Sequence, residues 1–279
     1  MTLRHWLLLA ALILLPNSAF AQENEPVTAC RIDAGDVDDL TESIALAVIE
    51  ECEAVLADNP DDDATRAYLA ELHMHLEKMY SLGKEVPTSI EKGLYHLRAA
   101  AELGAGGAQF VLGGAYRKGW PGYLSQDHKM AVYWLRKAAE HEGQMFAQFD
   151  LADLYANGPL DIRNYEEAAR WYRIPAEDGL SSAAAALGRL YEQGLGVEQS
   201  AETAALWYQT ALDNHRSNWR SSDWGAVAKV RPRVALGRMY AEGRGVPQSR
   251  IKAVELFRIA AESGDQEAQG ALRAMGETW

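Results

Sequence analysis

The 279-residue chain is 48% hydrophobic with eight Trp and twelve Tyr, enough for a packed core and unlike a disordered composition. Its formal net charge is -13, but residues 22–63 hold fourteen Asp or Glu against one Arg, while residues 64–279 hold 26 acids and 25 bases. The acidity is therefore an N-terminal property, and the large basic face that nucleic acid requires is missing.

The first segment, MTLRHWLLLAALILLPNSAFAQ, sets Arg4 and His5 before an apolar run from Trp6 to Leu15 and small residues at Ala19 and Ala21. This pattern predicts a secretory signal peptide, residues 1–21, cleaved after Ala21, and hence a periplasmic protein. About ten apolar residues cannot cross a hydrocarbon core that needs roughly 20, and no later segment is continuously apolar enough to span. Cys30 and Cys52 are the only cysteines, so an oxidising compartment predicts one disulfide between them. Closing that loop would stabilise the fold by about 3 kcal/mol in the chain-entropy model. A zinc site would need a histidine or third thiol nearby, and only carboxylates are there. Acylation of Cys30 through VTAC (27–30) fits less well, because Glu23 and Glu25 separate it from the apolar run.

Residues 22–63 read as an acidic leader and capping helix, with SIALAVIEECEAVLADNP (43–60) amphipathic up to Asn59-Pro60. The DNPDDD run (58–63) lacks calcium-loop spacing, and reads as a helix stop followed by a cap. In HMH, His73 and His75 stand two apart on divergent faces, which excludes a shared ligand pair.

From residue 64 onward the chain repeats. Tyr80, Tyr116, Tyr155, Tyr191 and Tyr240 are each preceded, four residues earlier, by Leu76, Leu112, Leu151, Leu187 or Leu236. Next to four of these leucines is a small residue: Gly113, Ala152, Gly188 or Gly237. The units are 72–107, 108–146, 147–182, 183–231 and 232–267, and recurrence near this length signals a solenoid. Each unit reads as helix, glycine-rich turn, helix. Ser89, Asp127, Asn164, Ser200 and Ser249 occupy one register as predicted N-caps of the second helix. That helix carries alanines for close approach and aromatics for the wider gaps, as in AVYWLRKAA (131–139).

The segments AAAALGRLYEQGLGVEQSAETAALWYQTAL and VALGRMYAEGRGVPQSRIKAVELFRIAAESGDQEAQ closely resemble Sel-one-like repeats, short relatives of tetratricopeptide repeats. The resemblance covers about residues 72–275. It implies an all-α, right-handed solenoid of about five helix-turn-helix repeats whose concave face binds other proteins. Bacterial relatives with this repeat include envelope assembly factors, regulators of membrane sensor kinases and immunity proteins, so the resemblance leaves an immunity protein neutralising a secreted toxin as an alternative reading. Two departures stand out: Glu77 where a small residue is expected, and Pro175, which removes a backbone bond and predicts a kink.

Some secreted relatives resemble penicillin-interacting proteins, which raises a cell-wall or β-lactam hydrolase as a rival reading for Ser89–Lys92 and Ser249–Lys252. Both S-x-x-K strings fall at the cap register, and the S-D-N and K-T-G strings are absent. The reading is thus non-enzymatic, with no cofactor or metal implied.

One stretch interrupts the array. HRSNWRSSDWGAVAKVRPR (215–233) has five Lys or Arg against one Asp, and makes its unit 49 residues long where three others have 36. Two accounts stay open for an insertion near 216–228. It is a surface loop with its tryptophans tucked against helices, or a recognition loop in which Arg216, Trp219, Arg220, Trp224 and Lys229 meet a partner. Contact between this basic stretch and the acidic leader would join the two. The expected function is an exported interaction protein that binds another periplasmic or envelope protein.

Overall fold

The computed structural model describes residues 37–141, 144–213 and 222–279, with the backbone alone for 222–229. The expected signal peptide, Cys30, Arg216, Trp219 and Arg220 lie outside the described residues. A 3-10 turn, Val37–Asp39, leads into α1 (Glu42–Asp58) and α2 (Asp63–Leu82), followed by α3 (Ile90–Glu102), α4 (Gly106–Lys118), α5 (His128–Ala139) and α6 (Met145–Asn157). The chain continues through α7 (Tyr165–Glu177), α8 (Ser181–Gln193), α9 (Ala201–Asp213), α10 (Ser222–Glu242), α11 (Arg250–Glu262) and α12 (Gln266–Ala274). Among the described residues the only β feature is an isolated bridge, Trp120 to Leu124. Helices α2/α3, α4/α5, α6/α7, α8/α9 and α10/α11 form five hairpins, with α1 before them and α12 after.

Each hairpin is fixed by the same local chemistry. The backbone amides of Ser89, Asp127, Asn164, Ser200 and Ser249 donate to the carbonyls of Tyr80, Tyr116, Tyr155, Tyr191 and Tyr240 at 2.9–3.0 Å. The register tyrosine therefore ends one helix and locates the start of the next. The five cap side chains accept from amides of the following turn, as at Asn164 with Glu166 and Glu167 or Ser200 with Thr203. Such a cap is worth about 1 kcal/mol. Asp62 does the same for α2, accepting from Ala64 and Thr65, which accounts for the acidic run.

Close packing inside the hairpins explains the small residues. A Cβ on Gly113 would lie 2.8 Å from Leu135, on Gly188 2.8 Å from Tyr208, and on Gly237 3.0 Å from Phe257. In the first hairpin the small residue has moved to the other helix: Gly93 of α3 faces Ser81, where a Cβ would lie 3.1 Å from the hydroxyl. That exchange accommodates Glu77.

Between repeats, turns and glutamines make the joints. Gly196 and Gly245 adopt φ +67 and +71, and a Cβ there would fall 2.2–2.3 Å from the carbonyl carbons of Tyr165 and Ala201. Each turn thus rests on the opening residue of the preceding unit's second helix. Gln109, Gln148 and Gln269 donate to the carbonyls of Ala101, Ala139 and Ala261 at 3.0–3.2 Å, closing the end of the previous helix. The core runs as successive clusters along the array, each built from neighbouring units, so stability is of nearest-neighbour type. Helix α7 continues past Pro175 to Glu177, with Pro175 buried. Residues 222–228, expected in an insertion between helices, open α10.

Candidate interaction groove

A groove crosses the first helices of successive hairpins. One part, about 750 Å³, is floored by Phe149, Ala185, Ala186, Val234 and Ala235 from α6, α8 and α10. A second part, about 1410 Å³, extends over α4 and α6 past Phe110, Val111 and Gly114. Both share Phe149, Asp153 and Asn157, so the two parts adjoin along α6. Phe149, Ala185 and Ala186 are partly exposed, whereas Val234 and Ala235 are buried members of the core clusters.

The walls carry a ladder of charges. Arg117 of α4 pairs with Asp150 at 3.4 Å and with Asp153 of α6. Asp153 also accepts from Asn157 at 2.6 Å and from the Tyr172 phenol at 3.4 Å. Burial pushes the Asp150 carboxyl above its ordinary range, and Arg117 opposes this. On α8, Glu192 is nearly buried and accepts from the Tyr208 hydroxyl at 2.7 Å and from Arg244 at 2.8 Å, with Arg238 at 3.5 Å. Burial favours its neutral form, but the bonds from Tyr208 and Arg244 outweigh that and hold the carboxyl below its usual range. Arg238 reaches on to Glu267 at 3.1 Å. The phenols of Tyr172 and Tyr208, rising from the second helices behind, are pushed up by burial.

The S-x-x-K strings do not converge on a reactive centre. Ser89 and Ser249 accept from the Lys92 and Lys252 amides at 3.3 and 3.4 Å, while the ammonium groups reach the Tyr80 and Tyr240 hydroxyls at 3.2 and 3.4 Å. His73 and His75 diverge as expected. His75 meets the Leu40 carbonyl at 2.8 Å, and His73 meets His96 of α3 nitrogen to nitrogen at 2.9 Å. Among the described residues no group of three or more His, Cys, Asp or Glu could hold a metal ion.

Of the residues singled out beforehand, Trp224 and Lys229 fall within the span of α10, and Cys52 is fully buried on α1. The groove residues themselves were not singled out. Their signal was available: two positions before the register tyrosines stand Asp153, Arg189 and Arg238, charges of both signs on a helix that otherwise repeats Leu and small residues.

An all-helical hairpin array with a lined groove defines the chain as a solenoid of the kind that serves as a protein-interaction scaffold. It belongs to the Sel1 repeat family, whose model matches residues 67–104, 107–142, 146–180, 181–215 and 234–265. The unmatched residues between the fourth and fifth repeats coincide with the basic stretch. A Sel1 repeat protein from Oxalobacter formigenes is similar in structure, with TM-score 0.58 and 26% identity, covering 84% of this chain and 90% of that one. In sequence, chitin synthase regulatory factor 3 of Schizosaccharomyces pombe is 34% identical over 114 residues, 40% of this chain and 12% of that protein. A chitin synthase regulator of Saccharomyces cerevisiae is 31% identical over 136 residues, 48% of this chain and 18% of that protein. The matches thus span less than a fifth of these two curated relatives.

Proposed function

We propose that this chain is an exported, non-enzymatic scaffold or regulator that holds a partner protein of the periplasm or envelope in the groove. The observation that carries the reading is the pair of adjoining grooves over the first helices, lined by apolar and charged side chains. Use of the Ser89 and Ser249 hydroxyls as helix caps supports a binding rather than a hydrolytic role. Relatives that bear the name of regulators add to this. The leader pattern supports export, and export supports a Cys30–Cys52 disulfide, whose Cys52 end would lie in the core beneath α1. A photo-crosslinking residue placed at Ala185 in the groove should capture a periplasmic protein that one placed at exposed Leu206 on α9 does not. Capture from Leu206 alone, or from neither site, would sink the proposal. Intact-mass analysis of the periplasmic protein should give a chain starting at Gln22 with no free thiol.

A further inference from the structure

The charges of the groove are not balanced in the free molecule. Every carboxylate that lines it is engaged. Asp150 and Asp153 face Arg117, Glu192 faces Arg244 and Arg238, and Glu267 faces Arg238. Asp265 accepts from the Ala268 amide at 2.8 Å as the cap of α12. The cations are different. Arg189 lines the first part, and among the described residues the one side-chain hydrogen bond it makes is to the Asn157 amide oxygen at 3.4 Å. Arg231 lines the same part, is exposed, and pairs with no carboxylate among the described residues. In the other part Lys118 makes no salt bridge among the described residues, though its charge acts on Asp150, and Arg163 donates to the Gly158 carbonyl at 2.9 Å.

Among the described residues the lining carries six Lys or Arg against five Asp or Glu, all five of them engaged, while Arg189, Arg231, Lys118 and Arg163 make no salt bridge, so the groove is complementary to negative charge. An unpaired guanidinium presents a planar fork of donors that matches a carboxylate bidentately. The floor between Arg189 and Arg231 is alanine and valine, so the backbone of an extended chain can lie close while its acidic side chains reach the walls. We infer that the groove takes an extended, carboxylate-rich segment of a partner protein, with Arg189 and Arg231 as its principal contacts. The inference rests on the groove being the partner site, and adds the chemistry of what enters it. Docking would then be sensitive to salt, because surface attraction is screened beyond about 10 Å at 0.1 M.

The test uses fluorescence anisotropy of the full mature chain with two fluorescein-labelled twelve-residue peptides, one alternating glutamate with alanine and one alternating lysine with alanine. The acidic peptide should bind, weaken with added salt, and lose at least tenfold in affinity with Arg189→Glu plus Arg231→Glu. Lys84→Glu, exposed and outside the groove, should not change it, and circular dichroism should show both variants folded. Preference for the lysine peptide, binding of neither, or acidic binding that survives the double variant overturns the inference. If in those cases crosslinking from Ala185 still captures a protein, the groove reading stands while its proposed chemistry falls. Displacement of the probe by a peptide of residues 22–36 with Cys30→Ser would assign the channel to the chain's own acidic leader and overturn a partner segment as its occupant.

Discussion

At Gly237 the α-carbon hydrogen faces the ring of Phe257, with the place for a Cβ 3.0–3.3 Å from three ring carbons. A larger side chain must push α10 and α11 apart. Gly237→Leu is therefore expected to cost about 1–3 kcal/mol through overpacking, read as a lowered midpoint in denaturant. The requirement for a small residue was readable from four aligned positions, because a steric limit leaves a mark in each repeat that keeps the same packing. Glu192 left no such mark. Its three donors arrive from Tyr208 of its own unit and from Arg238 and Arg244 of the next, and no periodic pattern connects them. Glu192→Ala would leave those donors without their acceptor and is expected to destabilise the molecule by about 1–3 kcal/mol, with Glu192→Gln costing less. Equal losses in the two variants would mean that the charge, not the acceptor geometry, holds this junction.

Helix boundaries were legible because their causes are local: a cap side chain, a tyrosine carbonyl and a glycine at the turn. The pairing of α2 with α3 through His73 and His96 was not, since His96 carries no signal until the hairpin folds. Both imidazoles are buried, joined nitrogen to nitrogen, with Tyr80 stacked on His96, Tyr95 edge-on, and Lys92 and Glu42 nearby. Burial holds His73 below the ordinary histidine range. Burial, then His73, then Lys92 hold His96 down to about 4, against the pull of Glu42. Between the ordinary value of 6.5 and about 4 the unfolded chain binds more protons than the folded one. Stability of the first hairpin is thus complete at neutral pH and is lost as pH falls through that window. Hydrogen exchange in α2 and α3 should accelerate from pH 7 to pH 4.5 more than exchange in α8, after correction for the intrinsic rate. His96→Gln should flatten this difference, and an unchanged profile in that variant would assign the sensitivity elsewhere.

Across the whole molecule, contacts link each hairpin chiefly to its neighbours, so damage should stay where it is made: Gly237→Leu should speed exchange in α10 to α12 and leave α2 to α5 unaffected. The long fourth unit tests this logic most directly. A length excess showed where the array is interrupted but could not show its form, because length carries no torsional information. Residues 222–228 prove to be the opening of α10, and the family match resumes only at 234. Deleting 216–228 should leave the five hairpins assembled, because loop closure changes stability only logarithmically with length, and should remove helical signal only in proportion to the helical residues lost. If Trp219 and Trp224 contact the partner, Trp219→Ala with Trp224→Ala should keep the melting curve and weaken partner binding by about 2 kcal/mol or more. An early melt with normal binding would instead make the tryptophans part of the packing between the fourth and fifth repeats, and would leave Arg189 and Arg231 to carry recognition alone.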